Sequence, residues 1–482
     1  MSASAPDPRS TMIAATRVDG LGGRLLAMAN AKTLADTFGY RFGFTWNRRV
    51  IVDRVFHVVD VADKIFSSDF IERHWLGEKV KTSSFGILDE AALAGRNLGE
   101  VAKERKLRGW ICDDFDILSH YRGDPTQLVG QSTTVHGFGY STAVKEAIDA
   151  ANGSRFAGPM AALHLRSGDI VHGIHRESLI FADKVIPATL ARAVISELSS
   201  KGMATLLIGQ HRPTLDYLKA ETGAVLTSDF GADAFEDQTL KAFFEMALMA
   251  RCQQIYAGSS IYAAIASLMG DVPLRQTTAL FDASRAAELI LDELKDRQAQ
   301  YHAREAAFGY QAAFLAMAEK VSPTQARAIL EKARALDPEN DAYALKIASA
   351  YFRERDYASG EAVLKSVMTR QFRQRPKIPV TIMRLLCRML FHRYPFAADF
   401  EFFLAAAQAG YPYAAACSAW ILQETMEDRA RALAMADRAV TASPADPLLR
   451  KVKRRVLQGK RPSGLIARAR WRIAWLRGLG TT

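Results

Sequence analysis

Short, wholly apolar runs dominate the first 280 positions, and apolar residues at helical spacing dominate after position 300. The run from Met12 to Val18 predicts a strand. The turn Asp19-Gly20-Leu21-Gly22-Gly23-Arg24 follows it. Leu25, Met28, Ala29, Leu34 and Ala35 then predict a helix over Leu25–Phe38. Gly39 lies where a helix C-terminal glycine belongs, and Phe42–Trp46 resumes an extended pattern. This β-α-β opening calls for a parallel sheet. The alternation resumes at Pro159. A strand around Ala162 runs into His164-Leu165-Arg166-Ser167-Gly168-Asp169. Next come a helix over Ala188–Leu198, a strand over Ala204–Gly209, a helix over Pro213–Thr222 and a strand over Ala224–Ser228. Phe244, Ala247 and Leu248 share one face of a helix over Phe243–Cys252. The strand Ile255–Ala257 then turns through Gly258-Ser259-Ser260 into a helix over Ile261–Met269.

Strand patterns stop near position 300. Gln325–Pro338 (QARAILEKARALDP) reads as a helix with small residues and a terminal Asp-Pro, and resembles the second helix of a tetratricopeptide repeat. Ala434–Pro447 ends similarly, whereas Ala405–Trp420 looks more like a Sel1-type helical pair. A generic α-helical extension is the plainer alternative. The expected architecture is α/β: two Rossmann-like domains followed by an all-α helical-repeat domain. The boundaries are 1–155, 156–298 and 299–449, with a basic segment at 450–482.

The length of 482 residues suits two or three domains, and 24% charged residues suit a globular chain. The net charge of +11 suggests nucleic acid until it is located. Residues 450–482 hold eleven basic side chains and no acidic one, which leaves 52 basic against 52 acidic residues before them. Nucleic acid is therefore not an expected partner of the body of the chain. Cys112, Cys252, Cys387 and Cys417 are widely spaced and form no C-x-x-C pair, which suits a reducing compartment. No signal-peptide core and no long apolar span occur, so a cytoplasmic location is expected. In the terminal segment, Arg468, Arg470, Arg472 and Arg477 alternate with Trp471, Ile473 and Trp475. That pattern suits an amphipathic segment at the inner face of an anionic membrane, through 460–482. An ordinary basic end and RNA binding are the competing readings.

Arg166 carries the candidate chemistry. It follows a buried strand, is always charged, and presents a planar fork that suits diphosphate oxygens. Three stretches together resemble the GDP-fucose-dependent fucosyltransferases. Gly20-Leu21-Gly22-Gly23-Arg24 is similar to the family's G-x-G-N-[RQ] loop. His164–Asp169 is similar to its H-[IVL]-R-x-x-D motif. Ala242–Ala263 is similar to its late helix, short strand and Ser-rich turn. The resemblance covers roughly 12–290 and implies a GT-B-like fold, a metal-independent inverting transferase, and a GDP-sugar held mainly by the second domain. It places Arg166 on the donor diphosphate and Asp169 at the acidic position that orients the loop or the donor. Gly20, Gly22, Arg24, His164, His211, Glu245, Ser259 and Ser260 complete the expected donor site. Gly23 stands where the family often has asparagine, and Ser167 where a second arginine often occurs. A second-domain strand is followed by Gln210-His211, where α1,6-type relatives commonly carry acidic residues.

Each feature has a plainer reading. Arg166 and Asp169 could form only a loop ion pair, Ser259 could be a helix N-cap, Gly20 and Gly22 a tight turn, and Glu245 a solvated helix position. His164, His172 and His175 match no helical zinc pattern, so no metal site is expected. Asp113-Asp114-Phe115-Asp116 contains D-x-D, which holds a cation in a different transferase architecture. A carboxylate there is also a candidate general base. The resulting expectation is transfer of a sugar, fucose preferred, from a nucleoside diphosphate to a hydroxyl of a glycan, lipid-linked saccharide or protein. No resident cofactor is expected, and a protein partner is expected on the helical repeats. The rivals are a transferase using another nucleotide sugar and a non-catalytic helical-repeat adaptor with a degenerate transferase-like domain.

Overall fold

The computed structural model describes residues 11–49, 59–93, 97–173, 175–390 and 394–459. The expected membrane-surface segment at 460–482 lies outside them. The chain divides into two compact units. The first takes in residues up to Gly168, then Lys184–Ile186 and Ala191–Leu280. The second takes in Asp169–Asp183, Pro187–Leu190 and the chain from Phe281 onward.

The first unit contains two parallel sheets. One comprises β1 (Met12–Ala15), β2 (Arg41–Phe44), β3 (Phe85–Ile87) and β4 (Gly109–Cys112), in the order β2-β1-β4-β3. The other comprises β5 (Met160–Leu165), β6 (Ala204–Gly209), β7 (Val225–Leu226), β8 (Gln254–Tyr256) and β9 (Leu274–Arg275). Its order is β7-β6-β5-β8-β9. Every residue of β5 is buried, as a strand paired on both edges and covered on both faces requires. The bounds of β6 coincide with the predicted ones. Phe85–Ile87, Gly109–Cys112 and Leu274–Arg275 add strands that the apolar pattern does not mark.

The helix Leu21–Phe38 ends at Gly39 in the left-handed conformation (φ 68°), as its pattern predicts. It begins four residues earlier than predicted, so Gly22, Gly23 and Arg24 form its first turn instead of a loop. One buried apolar cluster includes Ile13 and Leu25 from the first sheet and its helix, and Phe243, Ile255 and Ile265 from the second. The helix Leu21–Phe38 packs on the helix Ile261–Gly270, and the helix Thr142–Gly153 on the helix Gln238–Ala250. The two sheets of this unit are thus joined by shared helices.

The second unit is helical. Ala283–Arg297, Ala303–Met317, Pro323–Leu336, Asp341–Arg353 and Tyr357–Gln374 each pack on the next, as do Phe400–Gln408, Pro412–Glu424, Arg429–Ala442 and Pro447–Gln458. Local capping starts many of them: Ser322 accepts from the Gln325 N–H in a capping box, and Asp356, Asp428 and Asp446 cap three others. Among the described residues no helix is long and apolar enough to cross a membrane.

Leu25 is wholly buried in the joined core of the first unit. Leu25→Ala is expected to destabilise the protein by about 2–5 kcal/mol. Urea unfolding checks this, and an unchanged midpoint would show that the site is not packed as described.

Candidate functional site

In the second sheet the chain's direction of growth reverses between two neighbouring strands. From β5 it runs outward to β6 and β7, then returns to the other side with β8 and β9. The carboxyl ends of β5 and β8 therefore flank a crevice where no crossover helix lies, the usual ligand position in open parallel sheets. His164 and Arg166 leave β5 there, and Gly258-Ser259-Ser260 leaves β8. In the first sheet β1 and β4 are neighbours, and the Gly20 turn and Asp113–Asp116 emerge from their carboxyl ends.

The helices that follow β1 and β8 make one close approach at their first turns. A Cβ on Gly22 would stand 3.1 Å from the Cα and N of Tyr262, at the start of the helix Ile261–Gly270. A Cβ on Gly23 would stand 2.6 Å from the Asp19 carboxylate. A side chain at Gly22 would have to push the Tyr262 backbone back by a few tenths of an ångström, whereas at Gly23 only the Asp19 carboxylate would have to turn aside. Gly20 is the extended residue before the helix (φ −66°, ψ 169°).

Arg24 differs from its expected role as a ligand contact. It is 1% exposed, and its guanidinium donates to the carbonyls of Asp19 (2.8 Å), Asn47 (2.6 Å) and Val18 (3.1 Å). Burial lowers its pKa to about 10, so it remains a cation at neutral pH. Its side chain holds the Val18–Gly20 turn from below. Arg17 stays at the surface of that turn, paired with Asp19 at 3.1 Å and stacked over Phe115. Asp113 and Asp114 are exposed, and Asn30 holds the carbonyls of Asp114 and Phe115 at 3.0 and 3.1 Å. The Asp114 carboxylate accepts from the Asp116 N–H, a local turn.

At the second sheet, Arg166 is half-buried immediately beyond β5. His164 is buried, and its Nδ1 has no hydrogen-bond partner among the described residues. Burial first, and the Arg166 charge second, hold its pKa at about 3, so the imidazole is neutral. Tyr262 stands against His164, with ring centroids 5.5 Å apart. The Tyr262 hydroxyl donates to the Ala242 carbonyl (2.8 Å) and lies 3.4 Å from Glu245 Oε2. Glu245 Oε1 accepts from the Thr227 hydroxyl at 2.9 Å, and burial raises its pKa. Glu245 is therefore hydrogen-bonded and largely enclosed, unlike a solvated helix position. His164, Tyr262, Glu245 and Thr227 form one continuous series of contacts. Tyr262 is the member that the sequence pattern does not single out. Its only mark is an aromatic residue directly after a Ser-rich turn.

The capping role falls on Ser260, which is buried and accepts from the Ala263 N–H at 3.4 Å. Ser259 is half-buried in the turn before it. His211 follows β6 and precedes the helix Arg212–Thr222, with its Nδ1 2.9 Å from the Thr214 hydroxyl. Gln210 lies against Gly168, where a Cβ would meet its Oε1 at 2.1 Å. Asp169 is buried within the helical unit. Its carboxylate is 3.9 Å from His175 Nε2, and its carbonyl accepts the His175 N–H at 2.9 Å.

Two measurements follow from this geometry. Gly22→Ala forces a methyl against the backbone of Tyr262, and is expected to cost about 1–3 kcal/mol in stability by chemical unfolding. No change would contradict the close approach. For His164, the folded pKa lies below the unfolded value, so the unfolded chain binds the proton first. Stability is complete above the unfolded pKa and falls as pH drops towards 3, by about 1.4 kcal/mol per pH unit. In His164→Asn, the loss of melting temperature between pH 7 and pH 5 is expected to shrink. An identical loss in both proteins would place His164 outside the buried site.

No family model matches the chain, and no curated protein does. Among solved structures, the fucosyltransferase NodZ from Bradyrhizobium is similar at 15% identity and TM-score 0.35, over 56% of this chain and 96% of that one. POFUT1 in complex with GDP is similar at 10% identity and TM-score 0.32, over 56% of this chain and 99% of that one. NodZ α-1,6-fucosyltransferase soaked with GDP-fucose is similar at 15% identity and TM-score 0.31, over 55% and 94%. Likeness at this level carries no argument about activity.

Proposed function

We propose that the first unit binds a nucleoside-diphosphate sugar, GDP-linked and with fucose preferred, and transfers the sugar with inversion to a hydroxyl of a glycan, lipid-linked saccharide or protein. One observation carries the reading. The half-buried Arg166 and the Ser259-Ser260 turn leave adjacent strands at the point where the second sheet reverses. A fixed cation and a helix N-terminus beside one crevice suit a diphosphate. The motif resemblance around Gly20–Arg24 and His164–Asp169 supports a sugar nucleotide over a free one.

The chemistry fits these groups. As the acceptor oxygen attacks the sugar's anomeric carbon, the bond to the diphosphate breaks and negative charge collects on the departing phosphate. Arg166 and first-turn N–H groups of the helix Ile261–Gly270 would stabilise that charge more in the transition state than in the ground state. In this reading they meet the charge without a metal. His164 stays neutral, so it adds no second cation and is free to act as a hydrogen-bond partner. Arg24 keeps the glycine turn in place, and an exposed carboxylate among Asp113, Asp114 and Asp116 is the candidate base on the acceptor side. The helical unit, with its tetratricopeptide-like and Sel1-like pairs, would take a protein partner.

With GDP-fucose as donor, Arg166→Ala is expected to lower turnover about 10²–10³-fold while the melting temperature holds. Product formation checks the first and a thermal melt the second. Unchanged turnover would sink the assignment of Arg166 to the leaving diphosphate.

A further inference from the structure

The helix Pro447–Gln458, the last one among the described residues, has two unlike faces. Leu448, Leu449, Val452 and Val456 are buried in the apolar cluster of the helical unit, which also holds residues of the helices Pro412–Glu424 and Arg429–Ala442 that pack on this one. The other positions carry Arg450, Lys451, Lys453, Arg454 and Arg455, five cations with no acid in 12 residues. Arg450, Arg454 and Leu457 are exposed and stand four and three residues apart, which lines them up on one side of the helix. Leu457 is 49% exposed.

Folding accounts for part of this charge. Lys453 Nζ pairs with Asp437 at 2.7 Å, and Lys451 Nζ donates to the Pro376 carbonyl at 2.7 Å. Arg455 lies in the last turn, where a cation offsets the helix dipole. Arg450 and Arg454 are left over. The first has only a long contact to the Ala445 carbonyl (3.4 Å), and the second has no ion pair or hydrogen bond among the described residues. Elsewhere in this unit cations stand one turn from an acid of the same helix: Arg285 from Glu288 (3.0 Å), Arg297 from Glu293 (3.6 Å) and Arg327 from Glu331 (2.9 Å). A face turned only to water has that mixed composition. The face of Pro447–Gln458 has a single sign, and the sequence after it keeps that sign: residues 459–482 hold six basic side chains and no acidic one, with Trp471 and Trp475 among them.

We propose that the exposed face of the helix Pro447–Gln458 docks on an anionic phospholipid bilayer. The apolar face of the helix is committed to the protein core, so the helix does not insert. It meets the headgroups by charge, through Arg450 and Arg454, with Leu457 as an apolar contact beside them. Each lysine or arginine near such a surface strengthens binding about fivefold. Charge alone gives weak attachment, and a second, apolar signal is needed to hold a protein at a membrane. Leu457 and the tryptophans of the following sequence supply apolar and amphipathic groups of the kind that lipid interfaces collect. A phosphate backbone rewards the cations but not these groups, which favours lipid over nucleic acid. The surface lies wholly within the helical unit, and its role is independent of the nucleotide reading.

The test is co-sedimentation of the full chain with vesicles of phosphatidylcholine, alone or with a third of the lipid as phosphatidylglycerol. The unmodified protein is expected to bind the mixed vesicles at least about tenfold more tightly than the neutral ones, and to lose that advantage as salt rises from about 0.1 M to about 1 M. Arg450→Gln combined with Arg454→Gln is expected to weaken binding about 25-fold, without a change in melting temperature because both arginines are exposed. Lys295→Gln combined with Lys332→Gln removes the same charge from exposed positions on the helices Ala283–Arg297 and Pro323–Leu336, and is expected to leave binding within about twofold. Equal binding to both vesicles, or binding to neither, would overturn the proposal. So would an equal loss in the two double variants, which would trace binding to net charge. Undiminished binding of the Arg450/Arg454 variant would assign the membrane contact to another part of the chain. Binding to a single-stranded RNA with no binding to vesicles would give the face to nucleic acid, and would likewise overturn it.

Discussion

Parallel pairing of β5 with both β6 and β8 is the constraint on which the rest depends. It sends all three strands out of the sheet at the same edge. The chain then has to turn there into helices, and the turns collect donors, a cation and a helix N-terminus in one place. His164, Arg166, Gln210, His211, Ser259 and Ser260 are distant in sequence, but each lies within a few residues of such a strand end. The first sheet puts its glycine turn and Asp113–Asp116 at the carboxyl ends of the neighbouring strands β1 and β4. The two are brought together because the helices Leu21–Phe38 and Ile261–Gly270 pack without side chains at the tightest point.

Charge in this region is divided by burial. Arg24 is withdrawn into carbonyl contacts and stabilises the turn beside Trp46, whereas Arg17 stays at the surface and Arg166 is half-buried beyond β5. Burial also keeps His164 neutral and the Tyr262 phenol protonated. Glu245 is the acid of the Tyr262 contact series, and its hydrogen bonds to the Thr227 and Tyr262 hydroxyls hold it there.

Much of the fold was legible in the sequence because its central strands are buried on both faces. Buried runs such as Met160–Leu165 and Ala204–Gly209 leave no ambiguity of side. Leu274–Arg275 is exposed and two residues long, so nothing in its composition marks it. Gly109–Cys112 is masked by the acidic run that follows, which draws attention to chemistry and away from the strand. The helix Leu21–Phe38 starts four residues before its apolar pattern does, because Gly22 and Gly23 read as turn residues although Gly22 packs close to the Tyr262 backbone inside the first helical turn. At the candidate site, residue types with obvious chemistry were visible. Arg24 was visible as an arginine but not as a buried one, and Tyr262 acts through its backbone approach to Gly22 and its contacts with His164 and Glu245. Such roles exist only in three dimensions.

The central claim is that the edge shared by β5 and β8 is a diphosphate site. The most direct measurement is a crystal structure of the unmodified protein soaked with GDP. The account predicts density for the two phosphates within hydrogen-bond distance of Arg166 and of the Gly258–Ser260 turn. Density for GDP anywhere else, or none at saturating concentration, would contradict it.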